Sequence, residues 1–188
     1  MVSCPGRTWL RKHIFVFAMI VPSLGFADGW SALNQPGAIG LMRHALAPGT
    51  GDPEGFRLGD CSTQRNLDAR GRAQAQVIGQ TLRAEAVQID HVLSSAWCRC
   101  RETAELLGLA AVEIAPELNS FYQRPEAGAA QTAATLDLLE RLEGPAILVT
   151  HQVNITALAG VYPRSGEILV IRMSDGALEI IDRLSIDH

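Results

Sequence analysis

Apolar residues recur along this chain with two different spacings. Short apolar runs bounded by polar or glycine-rich breaks predict strands at 38–43 (AIGLMR), 91–95 (HVLSS), 112–118 (VEIAPEL) and 146–151 (AILVTH). The last of these is unbroken, as a strand covered on both faces requires. Between them lie helix-length amphipathic segments. In 67–86, Ala75, Ile78, Gly79 and Leu82 fall at i, i+3, i+4 and i+7, with Asn66 and Asp68 as possible caps. A second helix is predicted over 97–108, stopped by Gly108, and a third over 129–144, stopped by Gly144-Pro145. A short helix follows residue 151. The runs 166–173 and 177–184 then read as a hairpin turning at Ser174-Asp175-Gly176. Strands alternating with helices predict an α/β sandwich with a mainly parallel sheet.

The N-terminal segment stands outside this alternation. Arg7, Arg11 and Lys12 precede the apolar stretch IFVFAMIVPSLGF, and Gly25 and Ala27 are small residues suited to a cleavage site. This is the pattern of a secretory signal peptide over 1–27, cleaved after Ala27, and it leaves a single domain over 28–188. The apolar stretch is short for a membrane span and contains Pro22, so no stable anchor is expected after cleavage. The expected destination is a bacterial periplasm. Export changes how the cysteines read. Cys4 would leave with the signal, and Cys61, Cys98 and Cys100 would remain in an oxidising compartment. One disulfide from Cys61 to Cys98 or to Cys100 is expected, with three buried thiols as the alternative. The chain lacks the paired C-x-x-C spacing of a zinc site. The net charge of −4 offers nucleic acid no general basic field, though it leaves room for a local cationic pocket.

In open α/β sheets, ligands bind at the carboxyl ends of the strands. Arg43 and His44 end the first run, Ser94-Ser95 end the second and lead to Arg99, and Thr150 and His151 end the fourth. Two arginines and two histidines meeting at one crevice make an anion site. The planar guanidinium matches phosphate oxygens, and a neutral imidazole can carry a phosphoryl group covalently. No G-x-x-x-x-G-K-[ST] loop is present and no acidic cluster suggests a metal. The chemistry that fits is cofactor-free and metal-free phosphoryl transfer through a phosphohistidine.

Four segments, in order, resemble the histidine phosphatase superfamily, also called phosphoglycerate-mutase-like. LMRHA resembles the strand-end R-H-G signature, with Ala45 where glycine is usual. STQRNLDARGRAQAQVIG resembles the L-T-x-x-G-x-x-Q-A helix start. VLSSAWCRCRETAELL resembles S-S-x-x-x-R-A-x-x-T-A, with Cys100 at the alanine, and ILVTHQVNITALAG resembles the second-histidine segment. The resemblance implies a three-layer α/β/α sandwich with a minimal cap. It implies His44 as the nucleophile, Arg43 and Arg99 as the phosphate grip, and His151 completing the pocket. Thr50, Gln152 and Asn154 would contact substrate.

The usual proton donors are absent. Relatives with an L-N-E-like segment take the proton from its glutamate, where this chain has Ser120. Relatives with H-D-x-N take it from the aspartate, where this chain has Gln152. A general acid is therefore expected from Asp52 or Glu54, on the same loop as Asp60, unless the leaving group is good enough to need none. Only NSFYQRPEAG separates PEL from the next helix, so the pocket is expected to be open, with Phe121, Tyr122 and Arg124 able to line it. In size, signal peptide and R-H-A variant the chain resembles exported lipopolysaccharide core heptose-phosphate phosphatases. That implies an envelope glycan phosphate or another small phosphoester as substrate. A non-catalytic phosphate-binding protein of the same fold is the alternative reading.

Overall fold

A computed structural model describes residues 1–2 and 29–186 of the chain. The cleavage site at Ala27 lies outside the described residues. Six strands form one sheet: β1 (Ile39–Arg43), β2 (His91–Ser94), β3 (Val112–Ile114), β4 (Ala146–Thr150), β5 (Ile168–Ser174) and β6 (Ala177–Leu184). The helices are α1 (Gly29–Ala32), α2 (Ala69–Ala84), α3 (Cys98–Leu107), α4 (Gly128–Arg141) and α5 (Gln152–Ala159). The sheet order is β3-β2-β4-β1-β5-β6. The first four strands in that order are mutually parallel, while β5 and β6 are antiparallel additions on one edge.

The strand residues alternate between two cores, which makes the fold three-layered. Met42, Val92, Ile147 and Val149 pack with Ile78 and Leu82 of α2 and Ala104 and Leu107 of α3. Leu41, Leu93, Ala146 and Leu148 face the other way, against Leu139 of α4 and Ile155 of α5. Helices therefore cover both faces, and β4, at the centre, is buried along its whole length. Each such leucine or isoleucine contributes about 1.5–3 kcal/mol relative to exposure.

Most predicted elements appear within a few residues of their expected ends. One does not: the strand expected over 112–118 stops at Ile114, and Pro116–Leu118 forms a 3-10 turn instead. Pro116 has no N–H to give a ladder, so the run cannot continue as a paired strand. A second 3-10 turn, Pro125–Ala127, leads into α4, so no cap domain intervenes. At α2, Asp68 is the N-cap and accepts from the Gly71 amide at 2.8 Å, while Asn66 bonds elsewhere. The β5–β6 turn has positive φ at both Asp175 (51°) and Gly176 (75°), the pairing a tight hairpin needs.

The expected disulfide joins Cys61 to Cys98, with Cα atoms 5.7 Å apart, across 37 residues of chain. Cys100 is a free buried thiol. The bridge ties the 3-10 turn Cys61–Thr63 to the first residue of α3.

Candidate active site

Register decides where the chemistry gathers. Arg43 pairs with Thr150, and Ser94 with Val149, so β1, β2 and β4 end together. His44, Ser95 and His151 are the next residues out, and the His44 amide still bonds to Thr150 O at 3.0 Å. Arg99 follows four residues after Ser95, in the first turn of α3. Arg43, His44, Arg99 and His151 all line one cavity of about 610 Å³. Its size suits a phosphate carried on a small organic group.

The segment after His44 is held by residues from both helices of one layer. The Ala45 amide donates to Thr103 Oγ1 (3.0 Å) of α3, and the Leu46 amide to Gln74 Oε1 (2.8 Å) of α2. Gly71 allows α2 to lie against this segment: a Cβ there would come within 1.9 Å of Leu46 O. Gln74, Gly71 and Thr103 are thus the scaffold that aims His44.

His44 is 2% exposed, and its Nδ1 lies 2.7 Å from Ala45 O. A carbonyl only accepts, so Nδ1 carries the hydrogen and Nε2 holds a lone pair. Burial pushes the His44 imidazole well below the usual histidine range, and the charges of Arg99, Arg43 and Arg65 push it the same way. The ring is therefore neutral at physiological pH, the state a nucleophile needs. Burial and Arg99 likewise keep His151 neutral. His151 Nδ1 accepts from Arg99 Nη2 at 3.3 Å, so its Nε2–H points to Ser95 Oγ at 2.9 Å. The two rings stand edge-on with centroids 5.6 Å apart, and Trp97 also meets His151 edge-on at 5.3 Å.

The two arginines are held differently: Arg99 by Asp52 and His151, Arg43 by a backbone carbonyl. Arg43 Nη1 donates to Pro163 O at 2.9 Å. The Nε atoms of Arg43 and Arg99 are buried and have no protein partner among the described residues.

Asp52 stands in the cavity but not in the expected role. Its side chain is 5% exposed and pairs with Arg99, Oδ1 to Nη1 at 2.7 Å and Oδ2 to Nη2 at 3.3 Å. The Trp97 indole N–H and the Arg65 amide also donate to it, at 3.0 and 3.1 Å. Burial alone would raise this carboxyl, but Arg99 and these donors outweigh it and hold the group below the ordinary aspartate range. An ionised carboxylate accepting four bonds is no proton donor; it orients Arg99. Glu54 is exposed and does not line the cavity. The expectation of a general acid at either position is corrected accordingly. Asn154 is also outside the cavity wall: buried, it donates to Asn119 O at 2.8 Å and joins α5 to the 119–123 segment. Thr50, Gln152, Phe121 and Tyr122 do line the cavity, whereas Arg124 does not.

Residues 39–122 match the family model described as histidine phosphatase superfamily (branch 1). Over those residues the chain is similar to that superfamily. Arg43, His44, Arg65 and Arg99 of the cavity lie inside the matched residues, and His151 lies beyond them. No curated protein matches the chain. Among solved structures, the protein histidine phosphatase SixA complexed with tungstate is 18% identical (TM-score 0.57), over 79% of this chain and 96% of that one. TTHB049 from Thermus thermophilus is 21% identical (TM-score 0.56), over 79% and 99%. The SixA-named protein of Agrobacterium tumefaciens is 21% identical (TM-score 0.54), over 81% and 99%. These likenesses show the shared fold.

Sequence reasoning missed one arginine of the cavity. Arg65 lines the cavity beside Arg43 and Arg99. It follows no strand and lies inside a motif noted for its helix start, so strand-end placement gave no signal for it. The buried Cys100, at the motif's alanine position, is pushed up to about 12 by burial, so it stays an uncharged thiol 3.4 Å from His151 Nε2.

Proposed function

We propose that the protein hydrolyses a phosphomonoester through a phosphohistidine on His44, without a metal. The observation that carries this reading is the His44 Nδ1–Ala45 O bond, which leaves a neutral imidazole with its Nε2 lone pair among guanidinium groups. The phosphoryl oxygens are gripped by Arg43 and Arg99. Nε2 attacks phosphorus, the P–N bond forms, and the P–O bond to the leaving group breaks. Water then attacks the phosphohistidine, the P–N bond breaks, and phosphate departs with His44 restored. The arginines supply fixed positive charge where negative charge spreads in each transition state. The carboxylate lining the cavity, Asp52, is ionised, so the leaving oxygen takes its proton from water.

The ionised state of Asp52, the one carboxylate among the described residues that line the cavity, also supports a second reading, a phosphoramidate or anhydride whose leaving group departs readily. One similar structure is that of a protein histidine phosphatase, and a phosphoryl group on histidine is held by an N–P bond. The reading of an exported enzyme acting on an envelope glycan phosphate is supported by the N-terminal segment and by the Cys61–Cys98 disulfide, a bond that persists in oxidising compartments. Among the described residues, no helix is long and apolar enough to cross a membrane.

The test is to expose the protein briefly to a phosphoester panel and quench in base. Acid-labile phosphate on His44, lost in His44→Ala along with at least 10³-fold of the rate and unaffected by chelator, is the expected result. Tight phosphoester binding with no label and no turnover would establish the non-catalytic reading instead.

A further inference from the structure

We propose that Arg65 is a third phosphate-facing arginine, and that its charge tunes the pocket to a phosphoryl group bearing two negative charges rather than one. This rests on the reading of the cavity as a phosphate pocket.

Arg65 reaches the cavity from the segment between the disulfide-bonded 3-10 turn and α2. Its Nε donates to Gly51 O at 2.7 Å and its Nη1 to Ala47 O, both on the loop that follows His44. Both acceptors are neutral carbonyls. They fix the guanidinium without cancelling its charge, and Nη2 has no hydrogen-bond partner among the described residues. Four exposed or half-exposed arginines pair with carboxylates, Arg57 with Asp60, Arg70 with Asp68, Arg72 with Glu102 and Arg183 with Glu167, whereas Arg83 and Arg172 bond to neutral oxygens. Neither Arg43 nor Arg65 has a carboxylate partner among the described residues. Asp52, the nearest acid, takes only the backbone N–H of Arg65 and gives its oxygens to the Arg99 guanidinium.

The charges facing the pocket can then be summed. Arg43, Arg65 and Arg99 contribute three positive charges and Asp52 one negative charge, while His44, His151 and Cys100 are neutral. The balance is two positive charges, the complement of a monoester dianion. Without Arg65 it falls to one, which suits a diester or a protonated monoester equally well. Charges at these separations act through a partly buried, low-dielectric region, so one whole charge changes dianion affinity strongly.

The experiment measures equilibrium binding of an aryl phosphate monoester and the matching diester to His44→Ala protein, in which turnover is blocked. Arg65→Gln and Arg65→Lys are compared on that background at pH 7.5 and pH 5, either side of the monoester's second ionisation at about 6. The expected result for Arg65→Gln is at least a tenfold loss of monoester affinity at pH 7.5, little change for the diester, and a flattened pH dependence. Arg65→Lys, which keeps the charge, should restore most of the loss. Equal losses for monoester and diester, or no rescue by lysine, would mark Arg65 as a clamp on the 47–51 loop and overturn the proposal. Unchanged monoester affinity would overturn it too. If His44→Ala still turns over the monoester, the phosphohistidine reading fails, and the same Arg65 comparison is read with non-hydrolysable benzylphosphonate and its monoethyl ester.

Discussion

At the scale of single residues, the pocket works because hydrogen bonds set protonation before substrate arrives. Ala45 O selects the tautomer of His44, and burial with three nearby guanidiniums keeps the ring neutral. The acid limb of kcat should therefore lie well below pH 6.5, the ordinary histidine value, while kcat/KM follows the substrate's own ionisation. A pH-rate profile with a kcat limb near 6.5 would contradict this. Asp52 is held in the opposite sense. Its carboxyl is depressed in the folded state, so its stabilisation is complete above the unfolded value near 4 and is lost as pH falls through the folded value. Asp52→Asn should cost about 3–5 kcal/mol at neutral pH, because it leaves Arg99 buried without its partner. Denaturant melts of the variant and the parent should converge as pH drops below about 4.

At the scale of elements, the loop after His44 is positioned by close backbone approach as much as by side chains. Gly71 and Gly79 of α2 would place a Cβ 1.9 Å from Leu46 O and 2.0 Å from Leu107 O, respectively. Alanine is the better helix former by about 0.8–1 kcal/mol, yet here it collides with backbone that cannot swing aside. Gly71→Ala should therefore destabilise by about 1–3 kcal/mol, the usual cost of overpacking, and lower kcat as well, because Leu46 lies two residues from His44. Gly79→Ala should show the stability loss with a smaller effect on kcat. Thermal melts alongside steady-state kinetics separate the two. The same loop is gripped by Gln74 and Thr103, so the non-acidic, non-basic letters of the sequence motifs serve aim rather than chemistry.

At the scale of the whole molecule, four separate chain segments bring Arg43 and His44, Arg65, Arg99, and His151 to the cavity, and the disulfide joins two of them. Cys98 immediately precedes Arg99, and its amide bonds to Gln64, the neighbour of Arg65. Closing a 37-residue loop is worth about 4 kcal/mol in chain entropy. The double variant Cys61→Ser with Cys98→Ser should melt roughly 8–16 °C lower for a domain of this size. Its KM should rise, since the anchor of both arginine-bearing segments is gone. Reductant should produce the same shift in the parent protein and none in the variant. Thiol titration of the folded protein without reductant should find Cys100 unreactive until the chain unfolds, because the thiol is buried and uncharged.

The chain's local patterns determined a good deal unaided. Apolar periodicity gave strands and helices close to their observed bounds, because burial on one or two faces is written into residues a few positions apart. The rule that ligands sit at strand ends then brought Arg43, His44, Arg99 and His151 together. Only the tertiary structure decided what each polar side chain meets. Asp52 and Arg99 are 47 positions apart, and nothing local says that their charges pair. The same holds for the choice of Cys98 over Cys100 as partner of Cys61, and for Arg65, whose carbonyl partners lie 14 and 18 residues back. Glu54 and Asp52 sit two residues apart on one loop and look interchangeable in sequence; one is exposed and the other buried against a guanidinium. Hydrophobic pattern is a local quantity, whereas an electrostatic partner is chosen by distance through space.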